Sequence, residues 1–346
     1  MSLVFDKHRL ISNLALPPTS LRQPDAIANR HKADTVLTIG LINNMPDSAL
    51  QATERQFKGL LKAAAGSWIV DLRYFSLPSV KRSWAATSRI ERFYTNFIDL
   101  NRLKLDGLIV TGAEPTAALL AEEPYWQELT ELVDWADANT RSTIWSCLAA
   151  HAAVLYLDGI ERQRLGEKCS GVFDCSKVAD DWLTRDIPSP VKISHSRLNE
   201  LKGCDLTARG YCVLTQSREA GVDIFAKKLR SRFIFFQGHP EYDAVTLLLE
   251  YRRDIGRFLR GERDTYPPMP HGYFDEQTIA ALITLRERSL SDRREERLAE
   301  FPTALAADRV TNSWRSTAEG LYRNWLRCID AAKQQELRAG STASGA

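Results

Sequence analysis

The chain has 346 residues, 44% of them hydrophobic and 26% charged, ordinary globular usage with enough apolar content for a sizeable core. Lys and Arg total 46 against 44 Asp and Glu, a formal net charge of +2. No global field therefore favours nucleic acid or an anionic membrane. The N-terminal run MSLVFDKHRLISNLALPPTS lacks the basic and long apolar regions of a signal peptide. No stretch approaches the ~18 apolar residues of a membrane-spanning helix. The six cysteines (Cys147, Cys169, Cys175, Cys204, Cys212, Cys328) form no C-x-x-C pair, and a chain this long needs no disulfide staples. The reading is a reducing, cytoplasmic compartment.

Residues 1–33, broken by Pro17, Pro18 and Pro24, read as an N-terminal arm. Strand and helix signals then alternate. Thr35–Ile42 is a β-branched apolar run, and Ala49–Leu61 has helical spacing. Trp68–Phe75 and Leu105–Thr111 predict strands, and Trp126–Ala136 a helix. Ser142–Trp145 predicts a short strand that runs into Ser146 and Cys147, followed by an apolar helix over Leu148–Leu157. Such alternation, with mostly apolar strands, points to a parallel sheet covered on both faces. Val191–His195, Tyr211–Thr215, Val222–Ala226 and Phe233–Phe236 are closer together and predict a more antiparallel part. A helix is expected over Asp243–Leu259, a break over Pro267–Gly272, a charged helix over Asp275–Ala299 and a last helix near Thr317–Ala332. An α/β domain is thus expected over 34–262 and a C-terminal helical extension over 263–335. Residues 336–346, ending GSTASGA, are expected to be disordered.

Cys147 stands where a strand meets a helix. Strand carboxyl ends line the ligand crevice of open α/β sheets. The following helix N-terminus favours a thiolate there, and its amides can serve an oxyanion. Most buried cysteines are merely small hydrophobes, so position alone does not assign chemistry. Phe233–Tyr242 (FIFFQGHPEY) ends a second apolar strand in Gly238-His239-Pro240-Glu241. Gly238 permits a sharp turn, and Pro240 disfavours helix at His239. His239 is a suitable general base, and Glu241 can fix its tautomer. No metal-ligand cluster is apparent.

With those residues placed, the chain resembles the homoserine O-acyltransferases of the MetA type, over most of Thr35–Leu326. The resemblance rests on ordered motifs. They are N-N-M-P at Asn43–Pro46, D-G-L-I-V-T-G-A at Asp106–Ala113, E-E-x-Y-W at Glu122–Trp126 and E-K-x-S-G-V-F at Glu167–Phe173. H-S-R at His195–Arg197, E-A-G-V at Glu219–Val222 and G-H-P-E-Y-D at Gly238–Asp243 follow. E-Y-x-R-D at Glu250–Asp254 and W-R-S-x-A-x-x-L-Y-x-N-W-L at Trp314–Leu326 complete the series. It implies a class I glutamine-amidotransferase-like (flavodoxin-like) α/β sandwich with a mainly parallel central sheet and a C-terminal helical extension. It also implies that Cys147 carries the acyl group, with His239 as base and Glu241 as third member. Lys168, Ser196 and Arg253 fall at the family's substrate-binding positions, and a homodimer is the family's common assembly.

The expected chemistry is ping-pong transfer from an acyl-CoA to the hydroxyl of L-homoserine, with no permanently bound cofactor and no metal. The Leu148 N–H and a donor from the Gly112-Ala113 turn would hold the oxyanion. Thr116 falls at the family's donor-selectivity position. A small uncharged residue there favours succinyl over acetyl, although Glu114 lies two residues earlier. L-Serine is one methylene shorter than homoserine, a difference worth only ~1–3 kcal/mol, and stays open as acceptor. Three positions depart from the family: Asp47 where a lysine is frequent, Leu148–His151 after the nucleophile, and Asp174-Cys175 after G-V-F. The residue pattern also admits a glutamine amidotransferase, although W-S-C-L-A-A-H lacks that group's G-x-C-x-G-x-Q surroundings, or a non-catalytic protein on the same scaffold.

Overall fold

The computed structural model describes residues 35–343. The arm expected over 1–33 lies outside the described residues, as do residues 344–346 of the expected tail. Largely buried strands form the centre of the sheet. The first half of the chain supplies β1 (Val36–Ile42), α1 (Asp47–Ala64), β2 (Ile69–Phe75), α2 (Trp84–Phe93) and β3 (Gly107–Val110). It continues with α3 (Trp126–Asn139), β4 (Ser142–Ser146) and α4 (Leu148–Asp158). Then come β5 (Gln163–Lys177), β6 (Val191–Glu200), α5 (Gly203–Ala208), β7 (Cys212–Ser217), β8 (Gly221–Lys228) and β9 (Arg232–Phe236). The C-terminal helices are α6 (Thr246–Leu259), α7 (Glu276–Ser291), α8 (Thr303–Arg309) and α9 (Arg315–Ala343).

The strands make one nine-stranded sheet in the order β2-β1-β3-β4-β9-β8-β7-β5-β6. From β2 to β9 every neighbour is parallel, and from β9 to β6 every neighbour is antiparallel. The parallel half is doubly wound and reverses direction between β1 and β3. Its ligand crevice therefore lies at the carboxyl ends of β1, β3 and their neighbours. One face of that half packs against α1 and α9, through Phe57, Leu60, Tyr322 and Trp325. The other packs against α3 and α4, through Leu129, Val133, Ala149 and Ala153. A third apolar group joins α6, α7 and Trp314. Among the described residues no helix is long and apolar enough to cross a membrane.

Several expectations change. β5 was not visible in the sequence, because Q-R-L-G-E-K-C-S has neither alternation nor an apolar run. Pairing with β6 makes it a strand, and the break segment helps: Val172 N–H donates to His271 O and His271 N–H to Ser170 O, both at 2.8 Å. The helix α2 was also missed. Ser83 caps it by accepting from Ala86 N–H at 3.3 Å. The charged helix expected over Asp275–Ala299 ends at Ser291, and a 3-10 turn covers Glu295–Glu300. The tail expected to be disordered from 336 is instead helical to Ala343. The run A-A-K-Q-Q-E-L-R-A consists of strong helix formers, and Arg141 and Lys333 tie this helix to the sheet through Glu336 and Asp106.

Candidate active site

The parallel register of β4 and β9 brings the two ends of the site together. Ser146 pairs with Phe236, and Cys147 N–H donates to Phe236 O at 2.7 Å. The residues after each strand, Cys147 and Gln237-Gly238-His239, therefore emerge side by side. Cys147 has φ 52° and ψ −112°, a conformation that costs a non-glycine residue about 1–3 kcal/mol and persists only where packing enforces it. It lifts the thiol out of the strand and aims the first turn of α4 at the crevice. First-turn amides such as Leu148 N–H have no acceptor within the helix. The T-G-A turn presses onto the same amide. A Cβ on Gly112 would lie 2.6 Å from Leu148 Cβ and 3.2 Å from Leu148 N. The Leu148 amide and the Gly112-Ala113 turn thus share one small volume beside Cys147.

His239 is held from several sides. Its N–H donates to Ser194 O at 2.7 Å, and its carbonyl accepts from Ser194 Oγ at 2.5 Å. The ring Nδ1 bonds Glu241 Oε1 at 2.8 Å, and the ring stacks on Tyr242 with centroids 4.3 Å apart. Gly238 fits because a Cβ there would meet Ile193 at 2.5 Å and Asp223 Oδ1 at 2.9 Å. Burial alone would push the His239 pKa down. The negative charge of Cys147 and Glu241, both within hydrogen-bonding reach of the ring, holds it well above its ordinary value. His151, one turn along α4, is different. Burial pushes it down to about 3, and its Nε2 faces Gln237 Oε1 at 3.1 Å. It is a neutral core histidine.

Lys168, Ser196 and Arg253 come together beside His239, through two acids on α6. Lys168 Nζ lies 2.7 Å from Asp254 Oδ2 and 3.6 Å from Glu250 Oε2. Ser196 Oγ donates to Glu250 Oε2, and Tyr242 Oη donates to Glu250 Oε1 at 2.9 Å. Arg253 makes two 3.2 Å contacts to Asp254 Oδ1, and its side chain is 50% exposed, so part of its fork remains open to a ligand. Two fixed cations and two fixed anions within one cluster suit a zwitterion.

The loop after T-G-A is pinned by Glu123. Its carboxylate accepts from Thr116 N–H at 2.7 Å, Ala117 N–H at 2.9 Å and Thr116 Oγ1 at 2.9 Å. The Thr116 hydroxyl is thus committed to its own loop. Glu114 turns toward α6 and pairs with Arg257 at 3.2 Å.

The profile of the homoserine O-succinyltransferase family matches residues 21–334. The chain belongs to the homoserine O-succinyltransferase family. A homoserine O-succinyltransferase of Rhodopseudomonas palustris is 54% identical over 326 residues, covering 94% of this chain and 98% of that one. One of Bradyrhizobium japonicum is 52% identical over 330 residues, with 94% and 98% covered. Among solved structures, a glutamine amidotransferase of Thermotoga maritima aligns at 14% identity and TM-score 0.43, covering 86% of this chain and 99% of that one. Another from Methylobacillus flagellatus aligns at 15% and 0.47, covering 86% and 96%.

The departures from the homoserine O-succinyltransferase pattern now have a structural setting. Asp47 accepts from Ser83 N–H at 2.8 Å and faces Arg82 Nη1 at 3.4 Å. Arg82 runs beneath N-N-M-P, donating to Met45 O, to Asn43 O at 3.0 Å and to Ser76 Oγ at 3.1 Å. A positive charge thus stands at this loop, but as its anchor. Cys175 is buried with His195 and Asp223, their ligand atoms within 4.8 Å of one another, a grouping the linear sequence did not show. Arg197 Nε points at His195 Nδ1 from 3.4 Å, and that guanidinium opposes a further cation. His195 Nε2 lies 3.4 Å from Asp223 Oδ1, the arrangement of a neutral imidazole facing a carboxyl. Reading the sequence also passed over Glu250, Asp254, Glu123 and Asp223. Glu250 and Asp254 were detectable, since they sit at i and i+4 around Arg253 on one helix face. Asp223 was detectable as one acid inside the apolar strand V-D-I-F. Glu123 stood inside the E-E-x-Y-W motif, but nothing local showed what its carboxylate holds.

Proposed function

We propose that this chain transfers a succinyl group from succinyl-CoA to the hydroxyl of L-homoserine, with Cys147 as acyl carrier. The observation that carries the reading is the meeting of Cys147 and His239 at adjacent strand ends, with His239 Nδ1 on Glu241 at 2.8 Å. Family membership supplies the donor and acceptor. His239 takes the proton of the Cys147 thiol. The thiolate attacks the thioester carbonyl, and the oxyanion is met by Leu148 N–H and a donor of the Gly112-Ala113 turn. The intermediate collapses, the C–S bond to CoA breaks, and the imidazolium returns its proton to the CoA sulfur. Homoserine then enters. His239 takes its hydroxyl proton, the alkoxide attacks the Cys147 thioester, and O-succinylhomoserine leaves as the thiolate re-forms. Glu241 holds the ring tautomer throughout.

The acceptor's charges match the Lys168–Ser196–Arg253 cluster. Its carboxylate takes the open part of the Arg253 fork, and its ammonium faces Glu250 and Asp254. No metal enters these steps. Six free cysteines and a CoA thioester fit a reducing cytoplasm.

The test is CoA release measured for each donor–acceptor pair. Succinyl-CoA with L-homoserine is expected to give the highest kcat/KM. Acetyl-CoA as the better donor, L-serine as the better acceptor, or glutamine hydrolysis without acyl-CoA turnover would each overturn the reading.

A further inference from the structure

Succinyl differs from a neutral acyl group by a carboxylate two methylenes from the thioester. Placing that charge in a half-buried crevice is costly without a cation. Lys168 and Arg253 are already engaged by Asp254 and Glu250, and the proposed function gives them to the amino acid. Arg162 is a different case. Gly159 ends α4 in the left-handed conformation and turns the chain back. Ile160 then packs in the same apolar group as Leu120, Tyr125, Ala113 and Leu148, the last of which directly follows Cys147.

Arg162 is half-buried and, among the described residues, makes no hydrogen bond and no ion pair. Its charge acts on Cys147, Tyr125 and Glu123. Glu123 does not engage it, because its oxygens are taken by Thr116 and Ala117. A second observation points to the same place. Tyr125 is buried, 5% exposed, and among the described residues its hydroxyl has no hydrogen-bond partner. Buried hydroxyls are normally satisfied, and an exception calls for a missing partner. Here a guanidinium and a phenol that interact electrostatically with each other both lack a hydrogen-bond partner among the described residues, and the field of the guanidinium reaches Cys147.

We propose that Arg162 and the Tyr125 hydroxyl receive the distal carboxylate of the succinyl group, so that this pair selects a dicarboxylic acyl donor. The guanidinium fork and the phenol O–H supply donors to both carboxylate oxygens. The inference deepens the succinyl-transfer reading and rests on it.

The experiment measures Cys147 acylation by succinyl-CoA and by butyryl-CoA, which has the same length without the charge, in the full chain and in Arg162→Met, Arg162→Lys and Tyr125→Phe. A charge-assisted contact of this kind predicts a fall of about 30- to 100-fold in kcat/KM for succinyl-CoA in Arg162→Met. Butyryl-CoA should change less than threefold. Arg162→Lys should recover part of the loss, and Tyr125→Phe should lose about three- to tenfold, again for succinyl-CoA alone. A parallel readout needs no turnover. Free succinate, but not butyrate, should slow iodoacetamide alkylation of Cys147, and Arg162→Met should abolish the protection. An equal fall with both donors would show that Arg162 acts on the thiolate and would overturn the inference. Unchanged rates with retained succinate protection would overturn it too. A wild-type chain that succinyl-CoA does not acylate would instead refute the function itself.

Discussion

Replacing Gly112 by alanine probes the oxyanion region without touching a reacting group. The added Cβ would sit 2.6 Å from Leu148 Cβ and 3.2 Å from Leu148 Cα and N. Carbon atoms settle at about 3.5–4.0 Å, so the T-G-A turn and the start of α4 must separate by roughly 1 Å. Both sides are backbone held by strands, and no flexible side chain can give way. Overpacking of this kind costs about 1–3 kcal/mol of stability. The effect on chemistry is larger in proportion, because a displacement of about 1 Å in a preorganised site costs on the order of 100-fold in rate. We expect Gly112→Ala to fold, to lose a few degrees in Tm, and to acylate from succinyl-CoA about 100-fold more slowly than wild type. Homoserine affinity should be nearly unchanged, since the proposed amino-acid subsite does not involve Gly112. Quenched-flow mass spectrometry of Cys147 acylation and a thermal melt read the two effects. An acylation rate within twofold of wild type would refute the placement of the oxyanion donors.

Other perturbations follow from the same coordinates. Cys147 holds φ 52°, so Cys147→Gly should be inactive yet about 1 kcal/mol more stable than Cys147→Ala, since only glycine relieves the backbone there; equal melts would contradict the strain. Asp223 is pushed up to about 7 by burial, against the lowering effects of Thr215 and Arg197. A carboxyl raised in the fold stabilises it fully below its unfolded pKa and loses that contribution as pH rises toward 7. At ~1.4 kcal/mol per decade the loss is on the order of 4 kcal/mol, and Asp223→Asn should remove it; denaturant melts from pH 4.5 to 7.5 with parallel profiles would refute this. For His239, burial opposes ionisation while Cys147 and Glu241 favour it. Its stabilising contribution is therefore complete below its unfolded pKa near 6.5 and fades as pH rises through the raised value. Cys147→Ala should lower the His239 midpoint in an NMR titration, and an unmoved midpoint would show that the two groups do not interact.

What could be read from residues alone follows from how local each cause is. The central parallel strands β3 and β4 are buried along their whole length, and apolar runs announced the parallel half. Cys147 and His239 were visible because each follows such a strand at a sharp turn. β5 was not visible, since its register comes from β6 and from His271, far along the chain. The anchoring acids were hidden for the same reason. Glu123 holds the Thr116 loop, and Arg82 holds N-N-M-P against Asp47, through contacts that exist only once the strand ends converge. Arg162 had no signal in sequence. Its interest lies in having no hydrogen-bond or ion-pair partner among the described residues, a property that spacing does not encode.

The central claim is that Cys147 carries the succinyl group between donor and acceptor. Intact mass spectrometry after mixing with succinyl-CoA, without acceptor, tests it most directly. The account predicts a mass gain of one succinyl group, mapped to Cys147, absent in Cys147→Ala and discharged on adding L-homoserine with release of O-succinylhomoserine. A succinyl adduct elsewhere, or full turnover in a Cys147→Ala chain, would contradict it.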